Sequence, residues 1–352
     1  MFQNTDTVIV LFFWLPDEKL QKKLKEGLAS AKNLKLLFPP NSKEKKIVQQ
    51  FCEKNAHKAH IMIGWRPKRE WLWAAKDLQL YINPGTGVRG LIPLFKELNQ
   101  ERSVTLINGH GHAHLTAQHT IALLLALTNR IVSHHQWMKE GIWRTGDENS
   151  TSIPLYNRKI GLLGYGAINQ RVHQLLTPFN TDVSILKRSW KENESYLDHD
   201  LMVKAQKFDS NQLHDFLQYI DTLILAVPHT AKTEGMIGAE ELKLLGEQGL
   251  LVNVARGIVV EEKALFDALQ NKTIAGAALD VWYNYRPETD AEGRQYPYEH
   301  PFHDLDNIVL SPHRAGSPFS ELARWDELIN NVLLFAEGKR NWKSIVSLEH
   351  GY

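Results

Sequence analysis

The chain reads as an α/β protein built from two doubly wound parallel-sheet domains. Three observations predict this. Short apolar runs alternate with amphipathic, charge-rich stretches along the whole chain, as strands joined by crossover helices do. The runs form two series, separated by a polar stretch at 145–152. The length, 352 residues, is that of two domains at about 150 residues each.

The first series of strand candidates is Val8–Phe13, Leu34–Leu37, Ile61–Ile63, Leu78–Ile82 and Val104–Ile107. Asp17–Ala29 and Lys43–Asn55 lie between them and are helix-like. Next comes Thr116–Ile131, where Ile121, Leu123, Leu124, Leu125 and Leu127 crowd most faces. That pattern predicts a buried helix, either in the core of the chain or at a subunit interface. The second series is Ile160–Leu163, Val183–Leu186, Thr222–Val227, Leu250–Val254, Ile274–Leu279 and Ile308–Leu310. Six runs separated by helical segments predict a six-stranded nucleotide-binding sheet. Trp282–His303 is a long irregular stretch, and loops of that length are usually functional or mobile. Glu321–Glu337 is a last helix candidate, ending near Gly338.

Composition narrows the function classes. Apolar residues are 43% and charged residues 23%, ordinary for a globular protein. The net charge of +1 argues against a nucleic-acid backbone binder or a charge-held membrane protein. A single cysteine, Cys52, excludes an intramolecular disulfide framework. The apolar run Val8–Leu15 lacks a basic leader and a small-residue cleavage site. No run approaches the roughly 20 apolar residues of a membrane span. The expected setting is therefore the cytoplasm.

Lys159–Leu163 runs directly into Gly164-Tyr165-Gly166-Ala167-Ile168-Asn169. A strand, a G-x-G turn and a helix form the context of a dinucleotide site. The first glycine makes the turn, and the second lets the backbone approach a pyrophosphate at a helix N-terminus. Gly164, Tyr165, Gly166, Ala167 and Ile168 are the candidates for that contact. The third position is Asn169 where glycine or alanine is usual. After the second strand of this series an acidic residue would accept the ribose 2′-OH of NAD. Here Lys187, Arg188 and Ser189 stand instead, suited to a 2′-phosphate. NADP is the expected cofactor and NAD the less favoured one; the alternative is a plain solvated basic turn.

Three later segments are Leu251–Gly257, Gly276–Trp282 and Leu310–Gly316. With Gly164-Tyr165-Gly166 they resemble the D-isomer-specific 2-hydroxyacid dehydrogenases. The likeness is to glyoxylate/hydroxypyruvate reductases, with formate dehydrogenases as relatives. It extends to Ala226-Val227-Pro228 with Thr230 and Thr233, and to Trp143 ahead of the nucleotide fold. The resemblance implies a flavodoxin-like substrate domain, residues 1–108 and 316–352, around a Rossmann cofactor domain, residues 109–315, with a cleft between them. It implies hydride transfer between NADP(H) and a small 2-oxo acid or D-2-hydroxy acid.

The resemblance also assigns residues. Arg256 would orient the substrate carboxylate and polarise its carbonyl, work suited to a planar, permanent cation. His313 would be the acid–base group, because imidazole titrates near neutrality. Val227, Pro228, Thr233, Ala255 and Asp280 would line the cofactor. The loop Gly85-Thr86-Gly87 would take the substrate carboxylate on backbone N–H groups, and Trp65 and Arg66 would face its side chain. The family's glutamate, five residues after the aspartate, is Tyr285 here; Glu288 could replace it if the loop shifts. The resemblance implies a homodimer formed through Thr116–Ile131, with Gln118-His119 where relatives have Glu-His.

His110, His112 and His114 have the look of a metal tract, but no acidic or cysteine partner lies nearby in sequence, and no metal is expected. Two further readings stand beside the reductase. One is a dinucleotide-sensing corepressor that binds peptides. The other is formate-type hydride transfer without an acid–base step. Neither a nucleic acid nor a membrane is an expected partner.

Overall fold

The computed structural model describes residues 7–143, 146, 151–190, 196–318 and 320–352. The chain divides into two compact units, 1–112 with 320–352, and 113–319. Most of the polar stretch 145–152 lies outside the described residues.

The first unit holds a five-stranded parallel sheet. Its strands are β1 (Val8–Phe12), β2 (Leu34–Leu37), β3 (Ile61–Ile63), β4 (Leu80–Asn83) and β5 (Thr105–Asn108), in the order β2-β1-β3-β4-β5. Helices cover both faces, so the strands are apolar on both faces. In β1, Val10 and Phe12 enter one core cluster and Leu11 enters the other. The helix Glu18–Gly27 starts where Asp17 Oδ1 accepts the Leu20 N–H at 2.8 Å, and it buries Leu20 and Leu24. Such a cap stabilises by about 1 kcal/mol.

The C-terminal candidate begins as a 3₁₀ turn, Leu322–Trp325, before the helix Asp326–Ala336. That helix puts Leu328, Ile329, Val332 and Phe335 on the Val10–Phe12 side of the sheet.

The second unit holds β6 (Lys159–Leu163), β7 (Asp182–Lys187), β8 (Gln206–Asp209), β9 (Thr222–Leu225), β10 (Leu250–Asn253), β11 (Gly276–Leu279) and β12 (Ile308–Leu310). All pair in parallel, in the order β12-β11-β10-β9-β6-β7-β8. The sheet thus has seven strands, not six. The extra one, β8, is an edge strand of sequence Gln-Lys-Phe-Asp in which only Phe208 is buried. An edge strand with one buried side chain has no apolar run to betray it.

The helix after the first unit spans Ala113–Thr128. Ala117, Leu123, Leu124 and Leu127 join Val172 and Leu176 of the helix Ala167–Leu176 in one cluster. Much of its apolar surface therefore belongs to the core of its own unit.

Trp282–His303 carries no strand, and its one helical turn is the 3₁₀ segment Phe302–Asp304. Aromatic packing orders it: Trp282 lies 5.1 Å from Tyr298, and Tyr296 stacks on His303 at 4.1 Å. Phe302 is fully buried beneath. Among the described residues, no helix is long and apolar enough to cross a membrane.

Candidate active site

The sheet order places β10, β11 and β12 side by side, and their parallel register brings all three carboxyl ends to one edge. Arg256 follows β10, Asp280 follows β11, and His313 follows β12.

Asn253, the last residue of β10, shapes the first turn. Its Oδ1 accepts the Ala255 N–H at 3.0 Å, and its Nδ2 donates to the Arg256 carbonyl at 3.0 Å. Gly257 packs directly on the backbone of Trp282; a Cβ there would fall 2.4 Å from the Trp282 carbonyl. Arg256 Nη1 donates to the Ala255 carbonyl at 2.6 Å. Burial lowers the guanidinium's proton affinity and Tyr285 opposes that. A guanidinium stays charged regardless.

Asp280 is 1% exposed and faces the loop after β12. Its Oδ1 accepts the Ser311 hydroxyl and the Arg314 N–H at 2.7 Å, and its Oδ2 accepts the Ala315 N–H at 2.9 Å. His119 Nε2 stands 2.9 Å from Ser311 Oγ and 3.4 Å from Asp280. Burial pushes the Asp280 carboxyl up, but the bonds from His119, Ser311, Ala315 and Arg314 outweigh it and hold the group below its ordinary value. Asp280, expected at the cofactor, thus also clamps the loop that carries His313.

His313 has a left-handed backbone, φ +55°. Its Nδ1 lies 2.7 Å from the Tyr285 hydroxyl. The Trp282 N–H donates to the same phenol oxygen at 3.3 Å, and Trp282 Nε1 donates to the Ser311 carbonyl at 2.9 Å. Burial lowers the His313 pKa; Asp280 opposes this and Arg256 adds to it. Burial raises the Tyr285 pKa. Glu288 is exposed, and Tyr285 is the residue at the ring.

The turn after β6 fits a dinucleotide. Gly164 has φ +83°, and a Cβ there would meet the Ala226 carbonyl at 2.8 Å and Val227 at 2.9 Å. Gly166 caps the helix Ala167–Leu176, and a Cβ there would meet nothing within 4 Å. That leaves an open cradle over the first N–H groups of the helix, Ala167 and Ile168 among them, where an anion is favoured.

Asn169 is fully buried, and its Nδ2 donates to the carbonyls of Gly164 at 2.7 Å and Leu163 at 3.3 Å. A side-chain clamp therefore replaces the usual close glycine packing. The Tyr165 hydroxyl pairs with His173 Nδ1 at 2.8 Å. Burial lowers the His173 pKa to about 4 and raises that of Tyr165.

Lys187 Nζ donates to the Tyr196 hydroxyl at 3.0 Å and lies 4.7 Å from the Trp190 ring. Arg188 is exposed, Ser189 is half-buried, and both follow Lys187 at the end of β7. Thr233 Oγ1 donates to the Pro228 carbonyl at 2.7 Å and accepts the Thr230 N–H at 2.9 Å, closing the turn after β9.

In the first unit, Trp65 is 43% exposed and Arg66 has φ +53°. The Trp65 indole Nε1 would stand 3.3 Å from a Cβ on Gly85, and its ring packs on Trp14 at 4.9 Å. The loop at Gly85-Thr86-Gly87 is braced by Asn83 Nδ2 on the Gly85 carbonyl at 2.5 Å and Asn108 Nδ2 on the Thr86 carbonyl at 2.8 Å. His112 pairs with Thr86 at 3.1 Å and His110 with Ser344 at 3.0 Å, so the two rings serve separate local bonds.

Sequence reasoning missed Asn253, Ser311 and His173 as parts of these sites. Asn253 and Ser311 sit inside the quoted motifs, and a buried-polar reading of those motifs could have found them. Nothing in the sequence pairs His173 with Tyr165.

Residues 121–315 match the family described as D-isomer specific 2-hydroxyacid dehydrogenase, NAD binding domain. A glyoxylate reductase from Pyrococcus furiosus is 33% identical over 230 residues, covering 64% of this chain and 63% of that protein. The match thus spans just under two thirds of that relative's length. A glycerate dehydrogenase from Methylorubrum extorquens is 30% identical over 290 residues, 79% of this chain and 82% of that one. Among solved structures, a D-isomer specific 2-hydroxyacid dehydrogenase from Xanthobacter autotrophicus in complex with NADPH and MES superposes with a TM-score of 0.73 at 21% identity, over 99% of this chain and 100% of that one. An NADPH-dependent glyoxylate/hydroxypyruvate reductase from Sinorhizobium meliloti superposes with a TM-score of 0.69 at 22% identity, over 97% and 98%. The chain belongs to the D-isomer specific 2-hydroxyacid dehydrogenase family.

Proposed function

We propose that the chain is a reductase of small 2-oxo acids that prefers NADP(H), acting reversibly on D-2-hydroxy acids. The observation that carries this reading is the delivery of Arg256, Asp280 and His313 by three adjacent parallel strands. In doubly wound sheets, ligands bind outside the carboxyl ends of the strands. Two curated relatives are named glyoxylate reductase and glycerate dehydrogenase, which supports substrates of two or three carbons.

The bound dinucleotide would supply the hydride. Gly164 to Ile168 would hold its pyrophosphate, with Val227, Pro228, Thr233 and Ala255 beside it. Lys187, Arg188 and Ser189 would take the 2′-phosphate, since β7 ends without a carboxylate. Arg256 would grip the substrate carboxylate in plane and draw electrons from the carbonyl. His313, its Nδ1 occupied by Tyr285, has Nε2 left for the substrate oxygen. Gly85, Thr86 and Gly87 would take the carboxylate on their N–H groups, and Trp65 and Arg66 would select the substituent. The functional form is a homodimer.

The test is dinucleotide oxidation with glyoxylate, hydroxypyruvate, pyruvate and longer 2-oxo acids, each with NADPH and NADH. Turnover of at least one acid is expected, faster with NADPH. Silence with every acid would leave the corepressor-type reading in place. The neutral phenol at His313 also favours a formate-type reaction as second reading, and formate oxidation by NADP⁺ or NAD⁺ would reveal it.

A further inference from the structure

We propose that Tyr285 is the proton store behind His313, so that the imidazole passes a proton from the phenol to the substrate oxygen. The proposal rests on the reductase reading above. It goes beyond it in naming the source of the proton and the tautomer of the ring.

The hydrogen-bond pattern carries it. The Tyr285 oxygen lies 2.7 Å from His313 Nδ1 and receives the Trp282 N–H at 3.3 Å. An oxygen that accepts one hydrogen still has its own to give, and a neutral imidazole has one acceptor nitrogen. In the arrangement proposed, the phenol donates to Nδ1 and the ring hydrogen sits on Nε2, the tautomer that gives each group one partner.

The other charged groups around the ring leave this arrangement in place. Asp280 commits its oxygens to Ser311, Arg314 and Ala315, with His119 alongside. Arg256 lies near enough to oppose a second cation, and Glu288 stands exposed. No carboxylate among the described residues is hydrogen-bonded to the ring. Burial and Arg256 disfavour imidazolium more than Asp280 favours it, and the phenol, of ordinary pKa about 10 and shifted upward here, stays protonated. Both members of the pair are neutral at neutral pH.

The proton route then balances. The substrate carbonyl carbon gains the hydride with its electron pair, and its oxygen becomes an alkoxide. That oxygen forms a bond to the Nε2 hydrogen as the N–H bond breaks. Nδ1 takes the phenolic hydrogen in the same sense, leaving a neutral ring and a phenolate. The negative charge has moved from an alkoxide to the much weaker base, a phenolate of ordinary pKa about 10. The phenolate keeps the Trp282 N–H and faces the Arg256 cation. Tyr285 is 56% exposed, so water returns the proton. Oxidation runs the route backwards.

Tyr285 acts through His313 and is a positioning and proton-supplying residue. Two measurements test it. Nitrogen-15 NMR of the histidine rings in the dinucleotide-free protein should show His313 neutral at about pH 7, with hydrogen on Nε2, and Tyr285→Phe should abolish that fixed tautomer. In turnover, 2-oxo acid reduction should stay nearly flat from about pH 7 to about pH 9, because the phenol is protonated throughout. Tyr285→Phe should lower kcat by about 10²-fold and introduce an alkaline limb, while KM changes little. Tyr285→Glu should recover most of the rate with an alkaline limb of its own.

An Nδ1–H ring or an imidazolium at neutral pH in the unaltered protein would overturn the proposal. So would a Tyr285→Phe variant with the parental pH profile. If no 2-oxo acid is turned over at all, the reductase reading fails, and the NMR tautomer still decides the pairing.

Discussion

Asp280 holds His313 in place through the residues on either side of it, without a hydrogen bond to the ring. The carboxylate accepts the Ser311 hydroxyl two residues before and the Arg314 and Ala315 N–H groups one and two residues after. This clamp supports the left-handed φ of +55° that a histidine rarely adopts. It also supplies the negative charge that favours the imidazolium, against burial and Arg256.

Asp280→Asn should therefore both loosen the loop and lower the His313 pKa further. Hydrogen bonds to a charged group are worth about 1.5–3 kcal/mol, so a stability loss of that order is expected by denaturant melts. Histidine NMR should show the ring titrating at lower pH. Because the folded-state pKa of Asp280 is depressed, its contribution to stability is present above its unfolded value of about 4 and is lost as pH falls through the folded value. An Asn variant as stable as the parent would show the clamp to be incidental.

Arg256→Lys keeps the charge and loses the planar fork. The kcat/KM for 2-oxo acids should fall by at least about 10²-fold, equivalent to two lost charge-assisted bonds. Dinucleotide affinity, measured by fluorescence titration, should stay near the parental value. Normal turnover in this variant would remove Arg256 from the substrate site.

Lys187→Asp should erode the preference for NADPH over NADH. The ammonium is held by Tyr196 and the Trp190 ring at the end of β7, where a carboxylate would repel a 2′-phosphate. The ratio of kcat/KM values for the two cofactors should move by about 10-fold or more toward NADH. A parent enzyme that already favours NADH would sink the assignment.

Glu288→Gln should change neither rate nor pH profile, since Glu288 is exposed and Tyr285 occupies the ring nitrogen. A shifted alkaline limb in this variant would mean that the loop rearranges to bring Glu288 onto His313.

His173 should make the nucleotide-binding unit acid-sensitive. Burial depresses its folded pKa from 6.5 to about 4, so the folded state resists taking the proton that the unfolded chain accepts. Its contribution is fully present above about pH 6.5 and is lost as pH falls toward about 4, a loss on the order of 3 kcal/mol. His173→Gln should flatten the dependence of unfolding free energy on pH in that window. An unchanged slope would place the acid sensitivity elsewhere.

The sequence by itself determined the fold class, most strands and the order of the motifs. Buried parallel strands must be apolar on both faces, and the glycine turn between β6 and its helix tolerates little else. It left β8 unseen, because an edge strand buries too little to need an apolar run. It left the helix Ala113–Thr128 open between core and interface, because a helix apolar on most faces satisfies either. It favoured Tyr285 over Glu288, because Tyr285 keeps the family's spacing from Asp280 without an insertion, but spacing alone does not fix which side chain turns inward.

Only the tertiary structure decided that choice. Trp282 packs over Gly257 and its backbone N–H meets the Tyr285 oxygen, which aims the phenol at His313. The same holds for the Asp280 clamp and the Tyr165–His173 pair. These are bonds between residues far apart in sequence or on different turns. Their energy depends on distances of about 3 Å that only the packed sheet, with its strands in register, can fix.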